Sequence, residues 1–202
     1  MVVNVWTLIA ALPGLVPLAL LRRDASNLPL VALCVVPLGP ALSAAVYAIR
    51  HRSTDLTDLA PAVAFRRGYR ANVRGVLAVW LPALLWLTVL AVSLANFAAT
   101  GLPGWWAALL VAVAVVVTLW AVNALVITSL FAFRARDVAR LSAYFLVRTP
   151  GVTLGHAGLV VVAGVAVLVS EILLGLLASM FVLWLVRTSE PMLARIRAEF
   201  TA

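Results

Sequence analysis

GPALSAAVYAIR, HRSTDLTDLAP and AVAFRRGYRANVRG follow one another from Gly39 to Gly75, and how they are read decides the fold. An apolar segment runs out into a short acidic link, and the link enters a basic, aromatic helix that leads into the next apolar segment. Six of the fifteen basic residues fall here: Arg50, Arg52, Arg66, Arg67, Arg70 and Arg74. Arginines held between two membrane-length apolar runs face the cytoplasm under the positive-inside bias, so this loop orients the chain on both sides of it.

Composition agrees with a membrane setting. The chain is 65% hydrophobic and 11% charged, with a mean hydropathy of +1.15. A soluble domain carries about a quarter charged residues. Apolar runs near the length that crosses about 30 Å of hydrocarbon recur from end to end. They are apolar on every face, which suits helices and not the alternating strands of a membrane barrel. The formal charge of +8 resides in arginines between these runs, so topology accounts for it and nucleic acid is not implied as a partner. The lone Cys34 lies in an apolar run and offers neither an intramolecular disulfide nor a metal-type cluster. The first run lacks the basic lead and small-residue cleavage site of a signal peptide, and reads as a span.

The expected fold is an all-α, polytopic transmembrane bundle, a single membrane domain over residues 1–202. Its spans are expected near 2–21, 28–49, 76–97, 106–133, 151–169 and 172–187, with basic cytoplasmic loops at 50–75 and 134–150. Pro13 and Pro17 interrupt the first span, and Pro37, Gly39 and Pro40 break the second near its middle. Broken helices at membrane depth sometimes build substrate sites from half-helix ends, but prolines more often only kink a helix against a neighbour. In the first loop Phe65, Tyr69, Val73 and Val76 share one helical face, while Arg67, Arg70 and Arg74 share another. Such a helix suits the headgroup layer, where each arginine gains roughly 1 kcal/mol from anionic lipid. A merely topogenic loop, or one that docks on a cytoplasmic partner, fits the same residues. The second loop carries Arg134, Arg136, Arg140 and Arg148 against the single acid Asp137 and also reads as helix, ended by Pro150 and Gly151.

The intramembrane polar residues are few. Asn96 stands near the far end of the third span and Asn123 well inside the fourth; a buried Asn usually bonds across helices and only sometimes marks a translocation path. His156 has no second His or Cys at metal spacing and reads as a bonded interior residue. The run after Gly151 would measure about 55 Å as one helix. A turn near Ser170 and Glu171 divides it and keeps that carboxylate at the outer surface, whereas an intramembrane Glu171 would instead suggest a proton or cation path. The tail, with Arg187, Arg195 and Arg197, belongs in the cytoplasm. Six spans with both termini inside leave only Arg22 and Arg23 outside; a re-entrant first segment would bring these in and leave five.

Asn4-Val5-Trp6 in an apolar helix, Gly39-Pro40-Ala41 in the short second span, Phe65-Arg66-Arg67 with Arg70 and Asn72, and Arg148-Thr149-Pro150-Gly151-Val152-Thr153-Leu154 together resemble the YesL-like family of small bacterial membrane proteins. The chain departs from that pattern at Val73, where an aromatic residue is common, and in a shortened first loop. Family members tend to be encoded beside carbohydrate ABC transporters and their regulators. The resemblance therefore implies a bacterial plasma-membrane protein, an accessory role in sugar uptake and permease subunits as partners, and it carries over no catalytic or binding residue.

The first functional expectation is thus a non-catalytic accessory subunit. Its candidate partner or lipid-headgroup contacts are Arg66, Arg67, Arg70, Arg74, Arg136 and Arg140. The alternative is an autonomous transporter or channel that uses Pro37, Gly39, Pro40, Asn96, Asn123, His156 and Glu171. An enzyme is not expected, because no HExxH, GxSxG, P-loop or paired acidic motif occurs, and no cofactor or metal is implied. Self-association is left open.

Overall fold

A computed structural model describes residues 2–22, 24–51, 61–169 and 171–200, with the side chains of 167–177 left aside. Every long element among them is helical: α1 (Val2–Leu20), α2 (Leu28–Val35), α3 (Leu38–Arg50), α4 (Pro61–Ala95), α5 (Trp105–Leu130), α6 (Ala135–Arg148), α7 (Pro150–Val169) and α8 (Glu171–Phe200). Four segments are long and apolar enough to cross a membrane: α1, residues 25–50 taken together, α4 and α5. The pair α6 and α7 passes the same test but bends by 100° at Thr149, which raises the number to five.

The basic stretch behaves differently from the expected separate loop. Residues 61–75 are the first turns of the 35-residue α4, which continues without a break into the apolar run. At 1.5 Å per residue α4 is about 52 Å long, so its arginine-bearing turns must project beyond the hydrocarbon as a rigid extension of a span. Ala, Leu, Val and Arg dominate the junction around Val73 and Val76, and none of them stops a helix. Likewise α8 runs on through Pro191 to Phe200. The acidic link 52–60 and Ser170 lie outside the described residues.

α3 is the hub. Gly39, Pro40, Ala41, Ser43, Ala44, Ala45, Val46 and Ala48 are all buried, and α1, α4, α5 and α8 pack around them. Small side chains on every face let several helix backbones approach one axis, which is how helices gain packing energy in lipid. A Cβ at Gly39 would lie 2.7 Å from the Trp80 ring, and one at Gly68 would lie 2.7 Å from the Tyr47 ring. A Cβ at Gly14 would collide with the Cys34 carbonyl.

The proline break between α2 and α3 is closed by these contacts. Pro37 cannot donate to the Leu33 carbonyl, which accepts instead from the Val36 N–H at 3.2 Å. The Val35 carbonyl accepts from Trp80 Nε1 at 3.3 Å. The break thus seats the Trp80 indole.

Candidate functional site

Four helices contribute to one buried polar chain. Asn123 lies on the inward face of α5, and its Nδ2 donates to the Ser142 carbonyl on α6 at 3.4 Å. That bond turns the amide oxygen toward α7, where His156 Nδ1 lies 2.9 Å from Asn123 Oδ1. An amide oxygen only accepts, so Nδ1 carries the proton. On the other side of the ring, Nε2 lies 3.0 Å from Ser189 Oγ on α8. The Ser189 hydroxyl has one proton and two acceptors in reach, Nε2 and the Leu185 carbonyl at 2.7 Å. Asn123, His156 and Ser189 are each at most 1% exposed. Among the described residues no buried side-chain polar atom is left without a partner.

Serine, histidine and amide stand here in the order of a nucleophile, its base and an orienting group. A cavity of about 270 Å³ among α1, α3, α5, α7 and α8 is lined by His156 and Leu185. Apart from Thr7 its wall is Leu8, Leu15, Leu38, Leu42 and similar groups, so it presents an apolar surface beside the ring. What the chain of bonds does is tie α5, α6, α7 and α8 together where apolar packing alone would leave their rotation free.

A second polar pair joins the hub to α5. Ser129 Oγ donates to Ser43 Oγ at 2.8 Å, and Asn72 Nδ2 on α4 reaches the Ser129 carbonyl at 3.0 Å. One ion pair, Arg50 Nη1 to Glu190 Oε1 at 2.6 Å, fastens the end of α3 to α8.

The basic end is exposed. Arg66, Arg67 and Arg70 line a surface groove with Val63 and Ala71, and Arg74 follows one turn on. Phe65 and Gly68 on the same turns point inward, Phe65 against Trp6 at a ring separation of 6.4 Å. Arg136 and Arg140 are exposed on α6, whose inward face is Val138, Ser142 and Phe145. Among the described residues none of these six arginines has a carboxylate partner.

The structure thus brings Asn123 and His156 together, sets Gly39 and Pro40 in the hub and leaves Asn96 apart. Asn96 is exposed at the end of α4, where its Nδ2 donates to the Val92 carbonyl at 2.8 Å. Glu171 opens α8, with its side chain outside the described residues. No group of three metal-ligating side chains occurs among the described residues. Sequence reasoning passed over Ser189, Ser142, Glu190 and the Ser43–Ser129 pair. Ser189 and Glu190 fall in the stretch read only as a tail, which the structure shows as helix through Pro191. The chain matches no family model, no curated protein and no solved structure.

Proposed function

We propose that the protein is a non-catalytic accessory or regulatory subunit of a membrane transport system, seated in the bacterial plasma membrane by six spans, with both termini inside. The observation that carries this reading is the exposed arginine surface of α4 and α6, whose one carboxylate, Asp137, forms no ion pair with these arginines among the described residues, and which stands over a packed apolar cluster. Arginines that have no carboxylate partner among the described residues suit an acidic partner surface or anionic lipid headgroups. The interior supports the same reading: among the described residues its buried polar side chains all have partners, and Trp80 bonds into its proline break. The resemblance to the YesL-like family points to the permease subunits of a carbohydrate ABC transporter as that partner.

Affinity purification from native membranes in mild detergent, with mass spectrometry of what co-purifies, tests the proposal. Permease and solute-binding components should appear, and should be lost from an Arg66→Glu/Arg67→Glu/Arg70→Glu variant that still purifies as a folded protein. Recovery of the protein alone, or as a homo-oligomer, would overturn it. The second reading, an autonomous transporter or channel, is favoured by the 270 Å³ cavity beneath His156. It requires flux in liposomes that falls in Asn123→Ala and Glu171→Gln.

A further inference from the structure

From the α7–α8 face we infer a binding site for one anionic phospholipid molecule, with its phosphate held by Arg148, Arg187 and Arg195 and an acyl chain laid between the two helices. This site lies apart from the α4 and α6 arginines and does not rest on the transporter reading.

The face has a polar mouth and an apolar continuation. Gly151, Gly155, Gly158 and Val162 follow one another at i, i+4, i+7 and i+11 along α7, and Met180, Trp184, Thr188, Pro191 and Arg195 form the facing stripe of α8. The helices touch at Gly155, where a Cβ would collide with Thr188 Cγ2. On either side of that contact they part. Toward the chain's basic end lies a hollow of about 390 Å³, ringed by Arg148, Arg187 and Arg195. Toward the bilayer interior lies one of about 480 Å³, whose wall is Leu159, Val162, Met180, Phe181 and Trp184. Thr188 borders both.

A Cβ at Gly151 or Gly158 would meet no atom within 4 Å, so both glycines face open space rather than a packed neighbour. Arg195 Nη1 donates to the Arg148 carbonyl at 3.0 Å, which holds that guanidinium across the mouth. Among the described residues none of the three arginines has a carboxylate partner.

Charge and length then select the occupant. Three guanidinium groups around a hollow match a phosphate, which they can grip by paired N–H donors. A free phosphate would leave the apolar hollow unexplained. From Arg195 to Met180 the stripe rises about 22 Å, the depth of one leaflet with its headgroup layer. Trp184, one turn inside Arg187, stands where aromatic residues favour the interface.

The test uses the full chain in nanodiscs of equimolar phosphatidylglycerol and phosphatidylcholine, released for native mass spectrometry. One retained phosphatidylglycerol is expected, preferred over phosphatidylcholine by on the order of tenfold. Arg187→Gln/Arg195→Gln should abolish the preference, while Arg22→Gln/Arg134→Gln, which removes equal charge from exposed positions elsewhere, should keep it. Gly158→Leu, which fills the apolar hollow, should lower retention of both lipids; Val162→Trp makes the same obstruction from an exposed position should the first variant lose helix content. Equal retention of the two lipids in the wild type, or equal loss of preference in both arginine pairs, overturns the site. Retention unchanged by both obstructing variants, or displacement of the lipid by inorganic phosphate alone, overturns the lipid in favour of a phosphate ion. A lipid-free dimer overturns it in favour of a second copy of the chain.

Discussion

Where α6 crosses the bundle, Phe145, Ile127, Met192, Leu193 and Ile196 are fully buried in one cluster. In the opposite half, Leu85, Trp86, Trp105 and Val161 are each at least 60% exposed. The residue types are similar, so the difference teaches which solvent each region meets. Helices surrounded by lipid gain nothing by hiding Leu from it, and need only backbone approach and a few polar bonds. The arginine-bearing turns of α4, α6 and α8 lie beside a cluster buried as the core of a soluble domain is, the pattern expected of a region that meets water.

The sharpest way to break this comparison is to truncate one large side chain in each region. Phe145→Ala should destabilise the protein by about 3–5 kcal/mol, the usual result of emptying a closed aromatic site. Trp86→Ala, 61% exposed, should change stability by less than about 1 kcal/mol, because lipid fills the space. Unfolding by SDS in mixed micelles measures both. Equal losses would mean that the apolar half is covered by protein rather than lipid.

Gly39 tests the hub, where the two regions meet. Gly39→Ala drives a Cβ to 2.7 Å from the Trp80 ring, and that ring is held by its bond to the Val35 carbonyl. Separating α3 from α4 should cost about 1–3 kcal/mol in the same unfolding assay. Gly158→Ala, which meets no neighbour within 4 Å, should be close to neutral and serves as the control for adding a methyl to a spanning helix.

Much of this architecture is legible in the sequence, and the part that is not has a physical cause. Apolar runs show as runs because lipid demands them on all faces, so α1, α4 and α5 stand out from hydropathy alone. The basic turns 61–75 are visible as a helix from their period, but not as part of a span. Continuity depends on the absence of a helix stop, and the change from arginine to leucine looks like a boundary. The polar chain is less legible still. Asn123, His156 and Ser189 are spaced by 33 residues each way, and their meeting depends on the 100° turn at Thr149 and on the helix continuing past Pro191. No local pattern encodes that.

The polar chain should therefore bind the two regions more weakly than the core does. Asn123→Ala and Ser189→Ala each remove one partner of His156 and should cost about 0.6–2 kcal/mol in the unfolding assay, the range for polar bonds between membrane helices. Their effects should not add, because both act on one imidazole. A strictly additive double variant would show that the ring is held by its apolar neighbours and that the two bonds are incidental.

The smallest effect concerns Arg50 and Glu190, which join α3 to α8 at the basic end. Their side chains are 31% and 43% exposed, so water competes for both charges despite the 2.6 Å contact. A double-mutant cycle with Arg50→Gln and Glu190→Gln should give about 0.2–1 kcal/mol of coupling. Because the pair sits in the region assigned to water, that coupling should shrink as salt rises from about 0.01 M to 1 M and the screening length falls from about 30 Å to 3 Å. A coupling that ignores salt would place the pair away from solvent. The boundary between the two regions would then lie below Arg50, and the turns of α8 around Glu190 would belong with the lipid-covered half.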